Sequence, residues 1–123
     1  MAETFDGDYE DRTELDEQAA EIRRLNNKFR RTLVGGQVLI TPGVEELSHE
    51  VKMQTILAIR SFEEFNEDND PYGTHEFGEV VVSGTRVWFK IDAYDQNLEY
   101  GSPDPADPDV TTRVMTVLLP NEY

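Results

Sequence analysis

The sequence has no cysteine. Disulfides, thiolate zinc sites and cysteine nucleophiles are therefore excluded, and a cytoplasmic setting is the expectation. Bases are scarce. Eleven Lys and Arg stand against 26 Asp and Glu, for a net charge of −15. Such a chain repels phosphate backbones at long range, which argues against non-specific nucleic-acid binding. With only two histidines and no cysteine, a zinc deaminase or zinc protease is a poor fit. The longest mainly apolar run, Val114 to Leu119, is far short of a bilayer span, so no membrane partner is expected. The first residues include Glu3, Asp6, Asp8, Glu10 and Asp11 rather than a basic stretch and an apolar run, and no secretory signal is expected. Neither a G-x-x-x-x-G-K-[ST] phosphate loop nor a G-x-S-x-G nucleophile elbow occurs.

What remains is a chain of 123 residues, a length that suits one domain with a core of its own. The acid excess reads first as a solvating surface. A sharper reading is a protein that occupies a basic groove on a partner, as mimics of DNA do. Residues 1–12 hold five acids and one base and are expected to form a disordered tail, with a single α+β domain over 13–123.

Leu15, Ala19, Ile22, Leu25, Phe29 and Leu33 recur at helical spacing from a start near Thr13 to a stop at Gly35-Gly36. Arg23, Arg24, Lys28, Arg30 and Arg31 read as a solvated face near the helix C-terminus, with a basic docking patch as the alternative. Gln37 to Thr41 reads as a short strand, and Pro42-Gly43 as a turn. A second helix capped by Ser48 carries a broad apolar stripe of Val51, Thr55, Ala58, Phe62 and Phe65, widened by Ile56, Leu57 and Ile59.

Phe77 to Val82 and Arg86 to Tyr94 read as a hairpin turned at Ser83-Gly84. With Val82 opposite Thr85, Val80 faces Val87 and Gly78 faces Phe89. Val80, Val82, Phe89, Ile91 and Ala93 then share the buried face, with Glu79 and Trp88 opposite each other on the other. After a proline-rich loop over Asp95 to Asp109, Thr111 to Leu119 is the last strand. The order α-β-α-β-β-β predicts an α+β fold: a mainly antiparallel sheet of about four strands with two helices on one face.

The stretches "IRRLNNKFRRT", "GGQVLITPGV", "DNDPYGTHEFGE", "WFKIDAYD" and "GSPDPADPDVTTRVMTVLLPNEY" together resemble a small bacterial domain family of unknown function, often found on plasmids and other mobile elements. The resemblance covers residues 20 to 123 and leaves out the acidic tail. It implies a bacterial cytoplasmic protein and supplies no activity.

Three constellations carry possible chemistry. In DNDPYGTHEFGE, Asp68, Asp70, Gly73, Glu76 and Glu79 fall at positions 1, 3, 6, 9 and 12 of a calcium loop. Tyr72 stands where a short oxygen ligand belongs, and the exit is a strand. The competing reading is an ordered connector, in which Asp68 and Asn69 bond backbone amides and Gly73 takes a positive φ. The second set is His75 and Glu76 at the start of one hairpin strand with Asp92 and Asp95 at the end of its partner. Carboxylates with one imidazole would suit magnesium or manganese in a hydrolase or nuclease. The third is DPADP, where Asp104 and Asp107 stand in a stiff loop, either as structural acceptors or as a recognition surface.

The reading that follows is a non-enzymatic interaction protein, an inhibitor or accessory factor of a mobile element. No cofactor is expected under it; Mg or Mn belongs to the hydrolase alternative and Ca to the calcium-loop reading. Phe77, Trp88 and Tyr94 on the second face of the hairpin, with Asp104 and Asp107, are its candidate interface residues. The expected partner is another protein or a second copy of the chain.

Overall fold

A computed structural model of the chain describes residues 2–123, with side chains described from residue 14 onward. In chain order the elements are α1 (Ala2–Thr32), β1 (Gly36–Ile40), α2 (Pro42–Glu45), α3 (His49–Arg60), β2 (Phe77–Val82), β3 (Thr85–Tyr94) and β4 (Thr112–Leu118). Two 3-10 turns, Pro108–Val110 and Pro120–Glu122, flank β4. The expected disordered tail over 1–12 falls outside the residues whose side chains are described.

The four strands form one sheet in the order β1-β4-β3-β2. β2 with β3 and β3 with β4 are antiparallel, and β1 runs parallel to β4. The fold is α+β. The hairpin register is the expected one: Val82 is opposite Thr85, Val80 opposite Val87 and Gly78 opposite Phe89. Ser83 and Gly84 both have positive φ, 50° and 79°, as a tight hairpin turn whose twist matches its strands requires.

That register sends Val80, Val87, Phe89, Ile91, Met115 and Val117 into one core with Phe29 of α1, Val44 of α2 and Ile59 of α3. All the helices therefore cover the same face. Gly78 and Gly36 are close-approach positions. A Cβ on Gly78 would stand 2.6 Å from Phe89 and 2.8 Å from Phe62; one on Gly36 would meet the Arg113 carbonyl at 2.5 Å.

Four local expectations need correction. Pro42-Gly43 opens the short helix α2 rather than a plain turn, because proline at the first helical position has its φ already set and no amide to satisfy. Leu57, placed in the buried stripe, is 58% exposed, while Thr55 and Ile59 are fully buried. α3 ends at Arg60, so Phe62 and Phe65 reach the core from the connector rather than from the helix. Leu15 is also exposed. The Ser48 cap is as expected: its hydroxyl accepts from the Val51 amide at 3.2 Å.

The largest correction concerns Arg30. It was read among solvated cations, yet it is completely buried. Arg23, Asn26, Asn27 and Arg30 recur at i, i+3, i+4 and i+7, so α1 presents them as one stripe. Arg30 donates to the Phe62 carbonyl (2.9 Å) and to Asn27 (3.1 Å), and its guanidinium lies over the Phe65 and Phe89 rings at 5.4 and 5.9 Å. Asn26 donates to the Thr74 carbonyl (2.9 Å) and accepts from Arg113 Nε (2.8 Å), while Arg23 donates to the Gly73 carbonyl (2.8 Å). Arg60 returns the grip by donating to the Arg31 carbonyl at the end of α1. Arg23 and Arg30 thus hold loop carbonyls, whereas Arg24, Lys28 and Arg31 are exposed, Arg24 beside Glu21 and Arg31 beside Glu63.

Candidate functional site

The connector between α3 and β2 is built by side chains that replace missing backbone partners. Asn66 Oδ1 accepts from the Asp68 and Asn69 amides, at 2.8 and 3.1 Å. Asn69 Oδ1 in turn accepts from the Asn66 amide (2.8 Å), and its Nδ2 donates to the Glu64 carbonyl. Asp70 Oδ1 accepts from His75 N at 2.9 Å. Gly73 has φ +69°, as the connector reading requires. The chief acceptors are Asn66, Asn69 and Asp70, so the bonds expected of Asp68 are made by its neighbours.

His75 is held on three sides. Its ring stacks on Phe65 with centroids 3.8 Å apart, Nδ1 meets Asn27 Oδ1 at 3.0 Å, and Nε2 lies 3.5 Å from Asp70 Oδ2. Burial pushes its pKa below the usual value of 6.5, with the Asp70 carboxylate opposing and Arg23, Arg30 and Arg31 assisting. It is a packed histidine that ties α1 to the connector.

The candidate metal sets are not gathered. Glu79, the twelfth position of the calcium pattern, points to the open face of the sheet, where Oε1 accepts from Trp88 Nε1 (2.8 Å) and Arg86 Nε (2.7 Å). Those bonds, the indole first, hold its pKa below the usual carboxylate range. Asp70 sits with His75. In the second set, Glu76 and Asp92 do share a cleft of about 310 Å³, as expected from the Glu76 carbonyl bonding the Ile91 amide. Asp92, however, pairs with Lys90 at 2.9 Å, and that bond raises the Lys90 pKa. Asp95 turns the next loop by accepting from the Asn97 and Glu99 amides, while His75 is committed to α1 and Asp70. Among the described residues, no group of three or more His, Asp or Glu is placed to hold a metal ion.

Asp104 and Asp107 act inside their loop. Asp104 Oδ1 accepts from the Ala106 amide (3.1 Å). Asp107 caps the Pro108–Val110 turn through the Asp109 amide (2.9 Å).

Of the hairpin's aromatic residues, Phe77, Trp88 and Tyr94 occupy the sheet face away from the helices, whereas Phe89 lies in the core. Phe77 and Trp88 meet edge to face at 5.3 Å. Tyr123, not singled out in the sequence, adds a third ring at 5.8 Å from Trp88. Its position is set by Glu122, which accepts from the Thr41 hydroxyl (2.6 Å), the Leu119 amide (2.8 Å) and the Gly43 amide (2.9 Å). The Thr41 bond, followed by the backbone bonds, lowers the Glu122 pKa. Tyr94 stands on the same face but about 20 Å along β3 from Trp88, at the usual rise per strand residue, so it does not join the cluster. The surface signal for Tyr123 was present as Glu122 two residues after Pro120, a pattern that turns the chain.

Phe77 is a ridge between two clefts. On one side lies the Glu76, Lys90 and Asp92 cleft. On the other, a cleft of about 410 Å³ runs between the connector and β2, with Phe62, Phe77 and Trp88 against Glu64, Asp68 and Glu79. A neighbouring cleft of about 480 Å³ continues along Val80 and Val81 and shares Phe62, Glu64 and Glu79 with it. No lysine or arginine lines either of these two.

The family described as Protein of unknown function (DUF3768) matches residues 40–122. This chain belongs to that family. No curated protein and no solved structure matches it. The matched span holds β1's last residue, α2, α3 and the hairpin with β4, and so includes both clefts beside β2 and the Phe77–Trp88 pair. It omits α1, whose Arg23–Arg30 stripe clasps that span. No helix among the described residues is long and apolar enough to cross a membrane.

Proposed function

We propose that this chain is a non-enzymatic interaction protein that binds a protein partner through the helix-free face of its sheet, as an accessory or inhibitory factor of a mobile element. The observation that carries the reading is the Phe77–Trp88 pair, which stands on that face beside clefts lined by acids and by no base. Aromatic residues within a polar rim are the usual energetic centre of a protein interface. A chain of net charge −15 favours a basic partner and speeds encounter with it. The mobile-element part of the reading, and its bacterial setting, rest on the sequence resemblance.

A photo-crosslinking residue at Val81, 62% exposed on this face, tests it in bacterial cells. A discrete adduct with one protein is expected. That protein, purified, should bind the chain and lose about 2 kcal/mol with Trp88→Ala or Phe77→Ala. Equal binding by both variants, or adducts between copies of the chain alone, would reject a partner at this face.

A further inference from the structure

β2 is an edge of the sheet, since the strand order ends on it. The Glu76 carbonyl accepts from the Ile91 amide, which sets the alternation of the antiparallel ladder. Gly78, Val80 and Val82 turn their backbone groups toward β3. Phe77, Glu79 and Val81 turn theirs outward, away from the sheet. Among the described residues, none of these three has a backbone partner outside the hairpin.

Of the devices that ordinarily blunt an edge, this one has only the charge of Glu79. Its sequence, FGEVVV, has no lysine and no proline, and its register with β3 is unbroken by a bulge. The two clefts beside it run along its length, floored by Phe62, Phe77 and Trp88, with Glu63, Glu64, Asp68 and Glu79 as their charged lining, Glu63 being paired with Arg31. Glu79 is already ion-paired with Arg86 and accepts from Trp88, so the charge of the lining rests on Glu64 and Asp68.

We propose that the outward edge of β2 takes an extended, arginine- or lysine-bearing segment of a partner protein as a fifth strand. The backbone groups of Phe77, Glu79 and Val81 supply the ladder, and alternate side chains of the segment enter the acidic clefts. Charge complementarity decides the occupant. A second copy would bring its own Glu64 and Asp68 against the same acids, whereas a basic segment meets carboxylates and aromatic faces, both of which favour a cation. This rests on the interaction reading above and adds to it the chemical class of the partner and its mode of attachment.

The test uses the full chain and synthetic peptides of about eight residues alternating valine with arginine, the length an edge of this size can pair. The control peptide has glutamate in place of arginine. The arginine peptide should bind, and it should slow hydrogen exchange at the Phe77, Glu79 and Val81 amides while leaving Gly78 and Val80 unchanged. Val81→Pro removes one outward amide and no ladder bond, a substitution that edge strands tolerate. It should weaken binding about tenfold at unchanged melting temperature, roughly the value of one interfacial hydrogen bond. Glu64→Gln with Asp68→Asn should weaken it further and flatten its salt dependence.

If Val81→Pro does not fold, the exchange pattern of the unmodified chain decides. Equal binding of the glutamate peptide, or no protection at the three amides, overturns the proposal. So does protection of those amides that rises with chain concentration in the absence of peptide, which would assign the edge to a second copy. A crosslinked partner whose binding falls with Trp88→Ala but not with Val81→Pro would overturn strand addition and leave the interaction face standing.

Discussion

The two sides of the connector use charge in opposite ways. Toward α1, two of its carbonyls are held by bases, Gly73 by Arg23 and Phe62 by Arg30, and a third, Thr74, by Asn26 beside the buried Arg113. Toward β2, its acids face clefts that no base lines. Most of the few bases in the chain thus have tasks inside the fold or in pairs such as Arg86–Glu79 and Lys90–Asp92. The acid excess is left at the surface. Net charge alone suggested a solvated coat; its arrangement is a basic interior clasp and an acidic groove back to back.

The sharpest way to break that contrast is to remove Arg30. Its Nε and Nη1 have no hydrogen-bond partner among the described residues, and desolvation, with the Arg31 charge, lowers its pKa to about 10. Arg30→Ala would leave a cavity and an unpaired Phe62 carbonyl, for an expected loss of about 3–5 kcal/mol by chemical denaturation. Arg30→Met fills much of the space without a buried charge, and its loss should be smaller, about 1–2 kcal/mol. If methionine costs as much as alanine, the charge and its hydrogen bonds, not the volume, hold the clasp together.

Gly78 tests the other side. A methyl group there would press on Phe89 and Phe62 at once, and neither ring is the free end of a flexible chain. Gly78→Ala should cost about 1–3 kcal/mol and shift Phe62, which floors both β2 clefts, so affinity for any edge ligand should fall along with stability. A neutral result would mean the floor of the groove is looser than its packing indicates.

How much of this was legible before the structure depends on the kind of force involved. The hairpin register followed from period-two alternation and one turn, because a slip of one residue would exchange the whole buried face for the exposed one. The positive φ at Gly73 followed from turn chemistry. Arg30 was not legible: a stripe of two arginines and two asparagines at helical spacing looks solvated unless loops from elsewhere in the chain supply carbonyls to it. The parallel pairing of β1 with β4 was equally hidden, since only tertiary packing decides which strand an isolated short strand joins. The candidate interface was half legible. Phe77 and Trp88 were placed by alternation, whereas Tyr123 reaches Trp88 only through the turn that Glu122 ties to Thr41 and Gly43.

Gly73→Ala is expected to be milder. Its φ of +69° strains any L side chain, but the nearest atom to an added Cβ is the tip of Arg23 at 3.5 Å. The loss should be about 1 kcal/mol, from backbone strain alone, and Gly73→Asn should recover part of it, because asparagine tolerates this region better than alanine. Equal losses for both would point to displacement of Arg23 as the cause.

The smallest expected effect is the response of the clasp to acid through His75. Burial first, then the charges of Arg23, Arg30 and Arg31, hold its folded pKa below 6.5, against the pull of Asp70. The unfolded chain therefore takes up this proton before the folded one does. Above the unfolded value both states are neutral and the contribution to stability is fully present. As pH falls through 6.5 toward the folded pKa, protonation of the unfolded state draws the equilibrium away from the fold, and stability is lost. Glu79 and Glu122, whose pKa values are lowered from 4.5, add their own losses only at more acid pH, so the two windows separate. His75→Asn keeps a residue that accepts the φ of +56° and removes the imidazole. Denaturation midpoints measured from about pH 7.5 to 5 should slope for the native chain and lie flat for this variant. An identical slope in both would place the acid sensitivity elsewhere and reduce His75 to a stacking partner of Phe65.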